Sequence, residues 1–317
     1  MNLPDRTLKK TFLLSFIIII SLYFQSCKNQ TPTQTKEKKI NIVVTTFPIY
    51  DFSKNIGLEK VSVTKLLPPG IEAHSFEPKP DDIIKINNAD IFFYTDKNME
   101  VWAENIIKGI ENKKLTIKEV SEGISFEKMN HNHKDHSHKS NLDPHIWLDF
   151  DRAKKMVDNI AHTLSFVDTA NSSFYQNNAE NYKLKLEGID KKYRNTLNNC
   201  KSKDFIHIGH FAFGYLAKKY GLNYITAYKG LSPDEEPSPN ALAKIIEYIK
   251  RKKIKYIFYE DFISPRMAEV ISHETNSKLL KINAGHNVSK DDFNNGVTFI
   301  DIMERNLISF REGLECQ

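Results

Sequence analysis

The sequence predicts an α/β fold of two lobes, each with a mainly parallel sheet flanked by helices, joined by one long rigid helix. Short apolar runs typical of buried strands alternate with helical patterns through both halves of the 317 residues. A chain of this length exceeds what one hydrophobic core usually supports, which favours two lobes with a cleft between them. Residues 172–199 carry apolar side chains at helical spacing, and a helix of that length spans roughly 40 Å, enough to connect two lobes.

The first half is expected to alternate strands with helices. Its strands are predicted at Ile42–Val44, Val61–Leu67 and Ile91–Tyr94. Its helices are predicted at Ile49–Ile56, Pro80–Asn88, Val101–Gly109 and Asp151–Phe166. The connecting helix should bury one stripe, formed by Tyr175, Ala179, Tyr182, Leu186, Ile189, Tyr193 and Leu197.

The second half repeats the same alternation. Its strands are predicted at Phe205–Ile208, Tyr224–Thr226, Tyr256–Tyr259 and Leu279–Ile282. Its helices are predicted at Phe211–Tyr220, Ala241–Lys250, Pro265–Thr275 and Gly296–Leu314. Ser238 as N-cap and Pro239 at the first helical position mark the start of the second of these helices.

The start of the chain is typical of an export signal. Basic residues precede the apolar run Thr11–Phe24, which is too short to span a bilayer comfortably and ends at Ser26-Cys27. A small residue before Cys resembles a bacterial lipoprotein box, so we expect a lipoprotein signal peptide over 1–26 and lipidation of Cys27. The alternatives are ordinary cleavage or an uncleaved anchor. The polar residues 27–39 are expected to form a flexible tether.

The rest of the chain is expected to form an N-terminal lobe over 40–167, a linking helix within 168–202 and a C-terminal lobe over 203–317. Charged residues make up 27% and hydrophobic residues 40%, as in a soluble globular body. The net charge of +5 includes the Lys-rich run 250–255, which we interpret as solvated surface because no nucleic-acid motif accompanies it. We therefore expect no nucleic-acid partner, and a monomer.

Two further cysteines, Cys200 and Cys316, remain after Cys27. In an exported protein they would form a disulfide if the fold brings them together. The alternative, two unpaired thiols, stays open.

The chain has 11 histidines, three of which follow predicted strand ends or turns. His74 follows the turn Pro68-Pro69-Gly70, His145 lies in the segment Asp143–Asp149, and His210 follows the strand Phe205–Ile208. Because ligand sites in open parallel sheets form outside the carboxyl ends of the strands, we expect these three imidazoles to converge. Imidazole nitrogen suits zinc, and three or four such ligands give the tetrahedral geometry that zinc favours.

Several segments resemble those of the ZnuA/TroA-type solute-binding proteins of metal ABC transporters. Three of them are similar to the ligand motifs of that family: Leu66–Pro78, Asp143–Asp149 and His210–Leu216. Two more, Ser232–Ser238 and Phe258–Glu260, are similar to other family segments. The similarity covers Ile40 to Leu314 and implies a TroA-like fold, in which the metal is bound at the interface of two α/β lobes.

The resemblance implies that His74, His145 and His210 are the first three metal ligands. It favours Zn²⁺ as the transported ion over Mn²⁺, because manganese-preferring relatives typically have a carboxylate as the third ligand. The fourth ligand is expected to be His286, with Asp261 or a water molecule as alternatives. Asp143 either orients a ligand imidazole or has a role in capping or a turn.

A His-rich loop, 129–140, lies between the first two ligand motifs and contains His131, His133, His136 and His138. Such tracts bind metal by composition, and zinc-type relatives have a His-rich loop at this place. We expect these histidines to form an auxiliary zinc site. The alternative is a solvated loop that contributes little beside the main site.

The resemblance implies a periplasmic or extracytoplasmic, lipid-anchored protein that binds zinc and delivers it to an ABC transporter permease with its ATPase. A zinc hydrolase is the main competing class, since three histidines with an open position activate water. The sequence has no His-Glu-x-x-His helix and no nucleophile-bearing turn motif, so we expect no enzymatic activity. A surface adhesin of the same fold stays open.

Overall fold

The computed structural model describes residues 38–128, 142–228, 237–262 and 264–317. Residues 39–317 form one compact unit. The predicted signal peptide, the lipidation site Cys27 and the four histidines of the His-rich loop lie outside the described residues. None of the helices in the described ranges combines the length and apolar character that crossing a membrane requires.

Two four-stranded parallel sheets form the centres of the two lobes. The N-terminal sheet has the strand order β2-β1-β3-β4 and the C-terminal sheet the order β6-β5-β7-β8. The strands are β1 Ile40–Val44, β2 Val61–Lys65, β3 Ile91–Tyr94, β4 Thr116–Glu119, β5 Asp204–Ile208, β6 Asn223–Thr226, β7 Tyr256–Glu260 and β8 Lys278–Ile282.

Helices connect the strands and cover both sheets. They are α1 Phe47–Gly57, α2 Pro80–Asn87, α3 Ala103–Gly109, α4 Phe150–Val167, α5 Ser172–Asn198, α6 Gly214–Tyr220, α7 Pro239–Lys252, α8 Arg266–Thr275, α9 Lys290–Asn294 and α10 Phe299–Gly313. Three short 3-10 helices lie at Leu58–Lys60, Ile146–Leu148 and Thr169–Asn171. The predicted fold class, two parallel α/β lobes with a long helix, is confirmed.

Some boundaries differ from the sequence-based expectation for identifiable reasons. Strand β4 was not predicted because only one of its four residues, Ile117, is apolar, so it lacks the apolar run or alternation that indicates a strand. It lies at the edge of its sheet, where polar side chains are common. Helix α9 was not predicted because five residues are too few to show helical periodicity. Helix α10 begins at Phe299 and not near Gly296, because the Thr298 side chain accepts a hydrogen bond from the Asp301 N–H and so caps the helix.

Helix α5 is the structural link between the lobes. Its buried residues are the seven apolar residues of the predicted stripe. On the N-terminal side, the Tyr182 hydroxyl donates to Asp51 Oδ2 of α1 at 2.6 Å. On the C-terminal side, the Tyr193 hydroxyl donates to the Met303 carbonyl of α10 at 2.7 Å. One hydrophobic core therefore runs along α5 from one lobe to the other.

A disulfide joins Cys200, just beyond the end of α5, to Cys316 near the carboxyl end of the described chain. The two cysteines also form an isolated antiparallel bridge, and the Gln317 N–H donates to the Asn199 carbonyl at 3.1 Å. The residues after α10 are thus attached to the end of α5 by covalent and backbone contacts.

Asp51 gives the fold a measurable dependence on pH. Burial raises the pKa of this carboxyl from 3.8 to about 6. Because the folded protein holds the proton more tightly than the unfolded chain, the contribution of Asp51 to stability is present below about pH 4 and is lost as the pH rises through 6. We expect the free energy of unfolding of the wild type, relative to Asp51→Asn, to fall by about 3 kcal/mol between these limits.

Urea unfolding at a series of pH values measures this difference. Asp81→Asn, at an exposed position in the first turn of α2, is the control, and its difference from the wild type should stay flat over the same range. Parallel stability curves for the wild type and Asp51→Asn would contradict the prediction.

Candidate metal centre

The imidazole rings of His74, His145 and His210 converge in the cleft between the lobes. His74 Nε2 lies 3.1 Å from His145 Nε2, and His210 Nε2 lies 3.3 Å from His145 Nε2. One ring nitrogen from each of the three residues falls within 4.8 Å of the others. The fold thus brings His145 into contact with His74, which is 71 residues away in the sequence, and with His210, which is 65 residues away.

Buried carboxylates determine which nitrogen of each ring faces the others. Asp143 Oδ1 lies 2.7 Å from His145 Nδ1 and also accepts the His145 backbone N–H at 3.0 Å. Glu260 Oε2 lies 2.7 Å from His210 Nδ1. Because a carboxylate next to Nδ1 keeps the proton there, Nε2 of both rings presents a lone pair.

The lone pairs of His145 Nε2 and His210 Nε2 then face each other at 3.3 Å, an arrangement that is repulsive unless a positive charge lies between them. In a tetrahedral zinc site, Zn–N distances of about 2.0–2.1 Å place neighbouring ligand atoms about 3.3 Å apart. The observed separations of 3.1 and 3.3 Å match that spacing. The three rings therefore have the arrangement of a ligand set for a small divalent cation.

The two lobes both contribute to this set. His74 lies in the loop after β2, and His210 lies two residues beyond the end of β5, as expected for ligands at the carboxyl ends of strands. The expectation that His145 also follows a strand is wrong. His145 lies at the N-cap of the 3-10 helix Ile146–Leu148, which leads into α4. The ring of His145 is fully buried because Asp143 and the helix behind it hold it in the lobe interface.

His286 belongs to a second set of potential ligands, together with Glu72 and His210. The ligand atoms of these three residues also lie within 4.8 Å of one another. The alternative fourth ligand, Asp261, is engaged elsewhere: Lys281 Nζ donates to its Oδ1 at 2.5 Å, and Asn283 Nδ2 donates to its Oδ2 at 3.3 Å. It is part of neither set.

Asn287 connects the loop that carries His286 to the loop that carries His74. Its Nδ2 donates to the Pro68 and Ile71 carbonyls at 2.7 and 2.6 Å, and its Oδ1 accepts from Lys65 Nζ at 2.6 Å. The side chain is fully buried. Nearby, the Gly70 N–H donates to the Val288 carbonyl at 2.8 Å, so the two loops form one hydrogen-bonded layer across the lobe interface.

Two glycines allow this close approach. Gly285 has φ +79°, and a Cβ there would also lie 3.2 Å from the ring of Phe299, so only glycine fits without strain. A Cβ on Gly209 would lie 2.9 Å from the His207 ring and 3.1 Å from Glu260 Oε2. Glycine at 209 therefore lets the backbone pass beside the carboxylate that contacts His210.

Burial dominates the titration of the site. It lowers the pKa of His145 and of His286 well below the usual value, which keeps both rings neutral, the form that binds metal. Burial raises the pKa of Asp143 to about 8 in the metal-free site, and a cation bound to the His145 ring would favour the ionised form of Asp143 that keeps the proton on Nδ1. Burial alone would lower the pKa of His210, but the charge and contact of Glu260 outweigh it, so the pKa of His210 is raised.

Polar atoms without partners are concentrated here. Within the described ranges, eight buried side-chain nitrogen or oxygen atoms lack a hydrogen-bond partner of good geometry, and seven of them belong to this site. The residues that carry these seven atoms are Glu72, His207, His210, Glu260 and His286. His210 Nδ1 and Glu260 Oε2 lie 2.7 Å from each other, but the free atoms of Glu72 and His286 have no such neighbour. An unpaired buried polar atom costs about 1–3 kcal/mol, and a cation in the cleft would satisfy these.

Three residues of the site were not predicted from the sequence: Glu72, Glu260 and Asn287. Glu72 and Glu260 lie in segments that resemble the family, but neither was assigned a role. The position of Glu260 at the carboxyl end of β7 was the available signal, since ligand sites form at such ends. Asn287 gave no signal, because its partners are more than 200 residues away in the chain.

The chain matches known proteins over almost its whole length. The family profile described as "ZnuA: Zinc-uptake complex component A periplasmic" matches residues 42–313. The high-affinity zinc uptake system protein ZnuA of Bacillus subtilis is 35% identical over 319 residues, covering 96% of this chain and 98% of that protein.

Two further comparisons involve a longer protein. The zinc-binding lipoprotein AdcA of Streptococcus pneumoniae is 35% identical over 300 residues, which cover 93% of this chain but only 59% of AdcA. The chain thus spans less than two thirds of the length of that relative. The crystal structure of the Zn(II)-bound ZnuA-like domain of the same AdcA is similar with a TM-score of 0.75 and 33% identity, covering 88% of this chain and 100% of that domain.

Replacement of Asn287 tests whether the two ligand loops depend on it. In Asn287→Ala, the Ile71 carbonyl loses the Asn287 donor, the Pro68 carbonyl keeps only the Ile71 N–H, and Lys65 Nζ keeps only the Leu67 carbonyl as acceptor. We expect the free energy of unfolding to fall by about 3 kcal/mol, because three hydrogen bonds of the buried Asn287 side chain are lost at about 1 kcal/mol each. Chemical denaturation measures the loss.

Asn195→Ala, at an exposed position on α5, is the matched control and should change stability by no more than about 0.5 kcal/mol. If Asn287→Ala is as stable as this control, Asn287 does not hold the loops together.

Proposed function

Because this chain belongs to the ZnuA family of periplasmic zinc-uptake components, we propose that it captures Zn²⁺ outside the cytoplasmic membrane and delivers it to an ABC transporter. The ion is bound by Nε2 of His74, His145 and His210 in the cleft between the lobes. The protein is the solute-binding component, and zinc is its cargo.

The observation that supports this proposal most directly is that three imidazole nitrogens face one another at the spacing of zinc ligands. The distances of 3.1 and 3.3 Å occur between residues from both lobes, so one ion at this place would be held by both lobes. Asp143 and Glu260 act as the carboxylates behind His145 and His210, where they orient each ring and increase its basicity. The unpaired buried atoms around the rings support the same conclusion.

The choice of ligands supports zinc over manganese and binding over catalysis. Neutral imidazole suits zinc, whereas manganese favours carboxylate and other oxygen ligands. Beyond the three histidines, His286 and Glu72 offer two more donor atoms within reach of His210. The two groups together contain five donor residues, more than the three protein ligands that a catalytic zinc site combines with a water molecule.

The same proposal includes location and partners. We propose that the chain is exported and attached to a membrane by a lipid on Cys27, with residues 27–39 as the tether, in line with the lipoprotein AdcA of Streptococcus pneumoniae. Its partners are the permease and the ATPase of the transporter. The protein acts as a monomer and binds no nucleic acid.

The main test is the zinc affinity of His210→Ala. We expect the wild type to bind zinc tightly and the variant to lose more than about 100-fold in affinity, because loss of a ligand exceeds the 10–100-fold that follows loss of a carboxylate behind a ligand. Competition with a chromophoric zinc chelator measures both. His273→Ala, an exposed histidine on α8, should bind zinc like the wild type. Equal affinity of the two variants would refute the proposed site.

The His-rich loop allows a separate test of which site is the main one. We propose that His131, His133, His136 and His138 capture zinc and pass it to the cleft. Deletion of residues 131–138 should then leave the equilibrium affinity of the cleft unchanged in the same competition assay. If the deletion alone removed all tight binding, the His-rich loop and not the cleft would be the main site.

A further inference from the structure

One end of the N-terminal lobe carries apolar side chains that face solvent. Phe166 and Val167, the last two residues of α4, are 78% and 36% exposed, and Leu58, just after α1, is 49% exposed. Phe166 is the most exposed of the large apolar side chains in the described ranges. Single exposed apolar residues are common, but several at one end of a molecule indicate a contact surface. We call these three residues the apolar tip.

Contacts between helices bring the members of the apolar tip to the same end of the lobe. Helix α1 packs against both α4 and α5. In the second turn of α5, Asn178 Nδ2 donates to the carbonyl of Ile56, in the last turn of α1, at 2.9 Å. Because α5 begins shortly after α4 ends in the chain, Leu58 lies near the turn that carries Phe166 and Val167.

An electrostatic interaction also places the end of α1 near the end of α4. Burial raises the pKa of Asp168, but hydrogen bonds from α5 and the turn before it, together with the positive charge of Lys60, outweigh burial and lower this pKa. Asp168 directly follows Val167, and Lys60 ends the 3-10 helix that begins at Leu58. The members of the apolar tip are therefore neighbours at one end of the lobe.

The predicted tether joins the lobe at this same end. Ile40 of β1 pairs in register with Val61 of β2, so Lys39 lies beside Lys60 at the amino edge of the N-terminal sheet. The thirteen residues 27–39 span at most about 45 Å when fully extended. A membrane that holds the lipid therefore stays within this distance of the edge of the lobe that carries the apolar tip.

The backbone at Leu58 supports a role for its exposed side chain. Leu58 has φ +45°, in the left-handed region that favours glycine and is costly for a bulky residue. A glycine would adopt this backbone without strain. The fold by itself does not explain a leucine that is both strained and half exposed, whereas contact with an apolar partner does.

We propose that the apolar tip inserts into the interface of the membrane that holds the lipid on Cys27, with Lys39 and Lys60 at the level of the lipid phosphates. This inference rests on the proposed lipid anchor. Phenylalanine and leucine side chains are typical of segments that insert at the headgroup boundary, and lysine side chains extend from there to the phosphates. The lipid supplies one attachment to the membrane, and the apolar tip supplies a second that fixes which end of the protein faces it.

This orientation points the metal centre away from the membrane. The apolar tip lies at the amino edge of the N-terminal sheet, whereas His74 follows the carboxyl end of β2. A strand of five residues such as β2 separates the two edges by about 17 Å. The protein in this orientation presents its cleft to the surrounding solution, where zinc is captured, and turns on its tether to meet a permease.

Fluorescence quenching in vesicles tests the proposal. The full lipidated chain with Phe166→Trp is placed in vesicles of phosphatidylethanolamine and phosphatidylglycerol, with or without bromine on the acyl chains. The wild type, which has two tryptophans, gives the background. We expect the emission of the added indole to shift to shorter wavelength and to be quenched by the bromines. Ile308→Trp is the matched control, because Ile308 is 69% exposed on α10 of the C-terminal lobe, and its added emission should not be quenched.

Leu58→Gly in the Phe166→Trp background separates membrane contact from a role in the fold. The change relieves backbone strain and removes an apolar side chain of the tip. We expect the thermal unfolding temperature to stay the same or rise, and the quenching by bromine to decrease. A lower unfolding temperature with unchanged quenching would contradict the proposal.

Two results with Phe166→Trp would overturn the inference while the chain stays on the vesicles. One is quenching no stronger than that of Ile308→Trp. The other is a shift to shorter wavelength without quenching by bromine, because a second protein and not lipid would then cover the apolar tip. Either result leaves the proposed function standing, which is judged by the zinc affinity of the same samples. Chains that do not remain with the vesicles would contradict the lipid anchor and this inference together.

Discussion

The structure depends on one electrostatic constraint, imidazole nitrogens that face each other at close range in the cleft. His74 and His210 each approach His145 Nε2 to 3.1–3.3 Å, and carboxylates behind two of the rings fix the nitrogen that faces inward. At low local dielectric this arrangement is unfavourable by itself and becomes favourable around a cation. The protein therefore keeps a locally unstable cluster within a stable frame, which is a common property of functional sites.

The frame has to fix the distance between the lobes, because each ligand set takes donors from both. Helix α5 does this through a shared core, with Tyr182 bonded to α1 and Tyr193 bonded to α10. Asn287 does it at the cleft itself, where it connects the loops of His74 and His286. Since a change of 1 Å in ligand distance removes good metal geometry, these contacts keep the donors of the two lobes at bonding distance from one ion.

The features that could be predicted from the sequence are those marked by a pattern or motif in the residues themselves. Periodicity predicted the buried stripe of α5, and residue type with motif position predicted that His74, His145 and His210 converge. The parts that it missed depend on contacts between distant residues. Asn287 bonds to Pro68, Ile71 and Lys65 across 219, 216 and 222 residues, and nothing near 287 indicates these partners. The same applies to Glu72, because a glutamate in a loop is expected to be exposed, and only the fold shows that one of its oxygens is buried.

A second ligand set also bears on how a tightly bound ion could leave. Release from a closed set of imidazoles requires the ion to lose several donors at once, and tight complexes dissociate slowly because affinity differences lie mostly in the off-rate. With Glu72 and His286 beside His210, each imidazole that leaves can be replaced by another donor. Release can then proceed by losing one donor at a time and not all of them at once. A cleft with five donor residues, one of them common to both sets, suits a protein that must both capture its cargo and give it up.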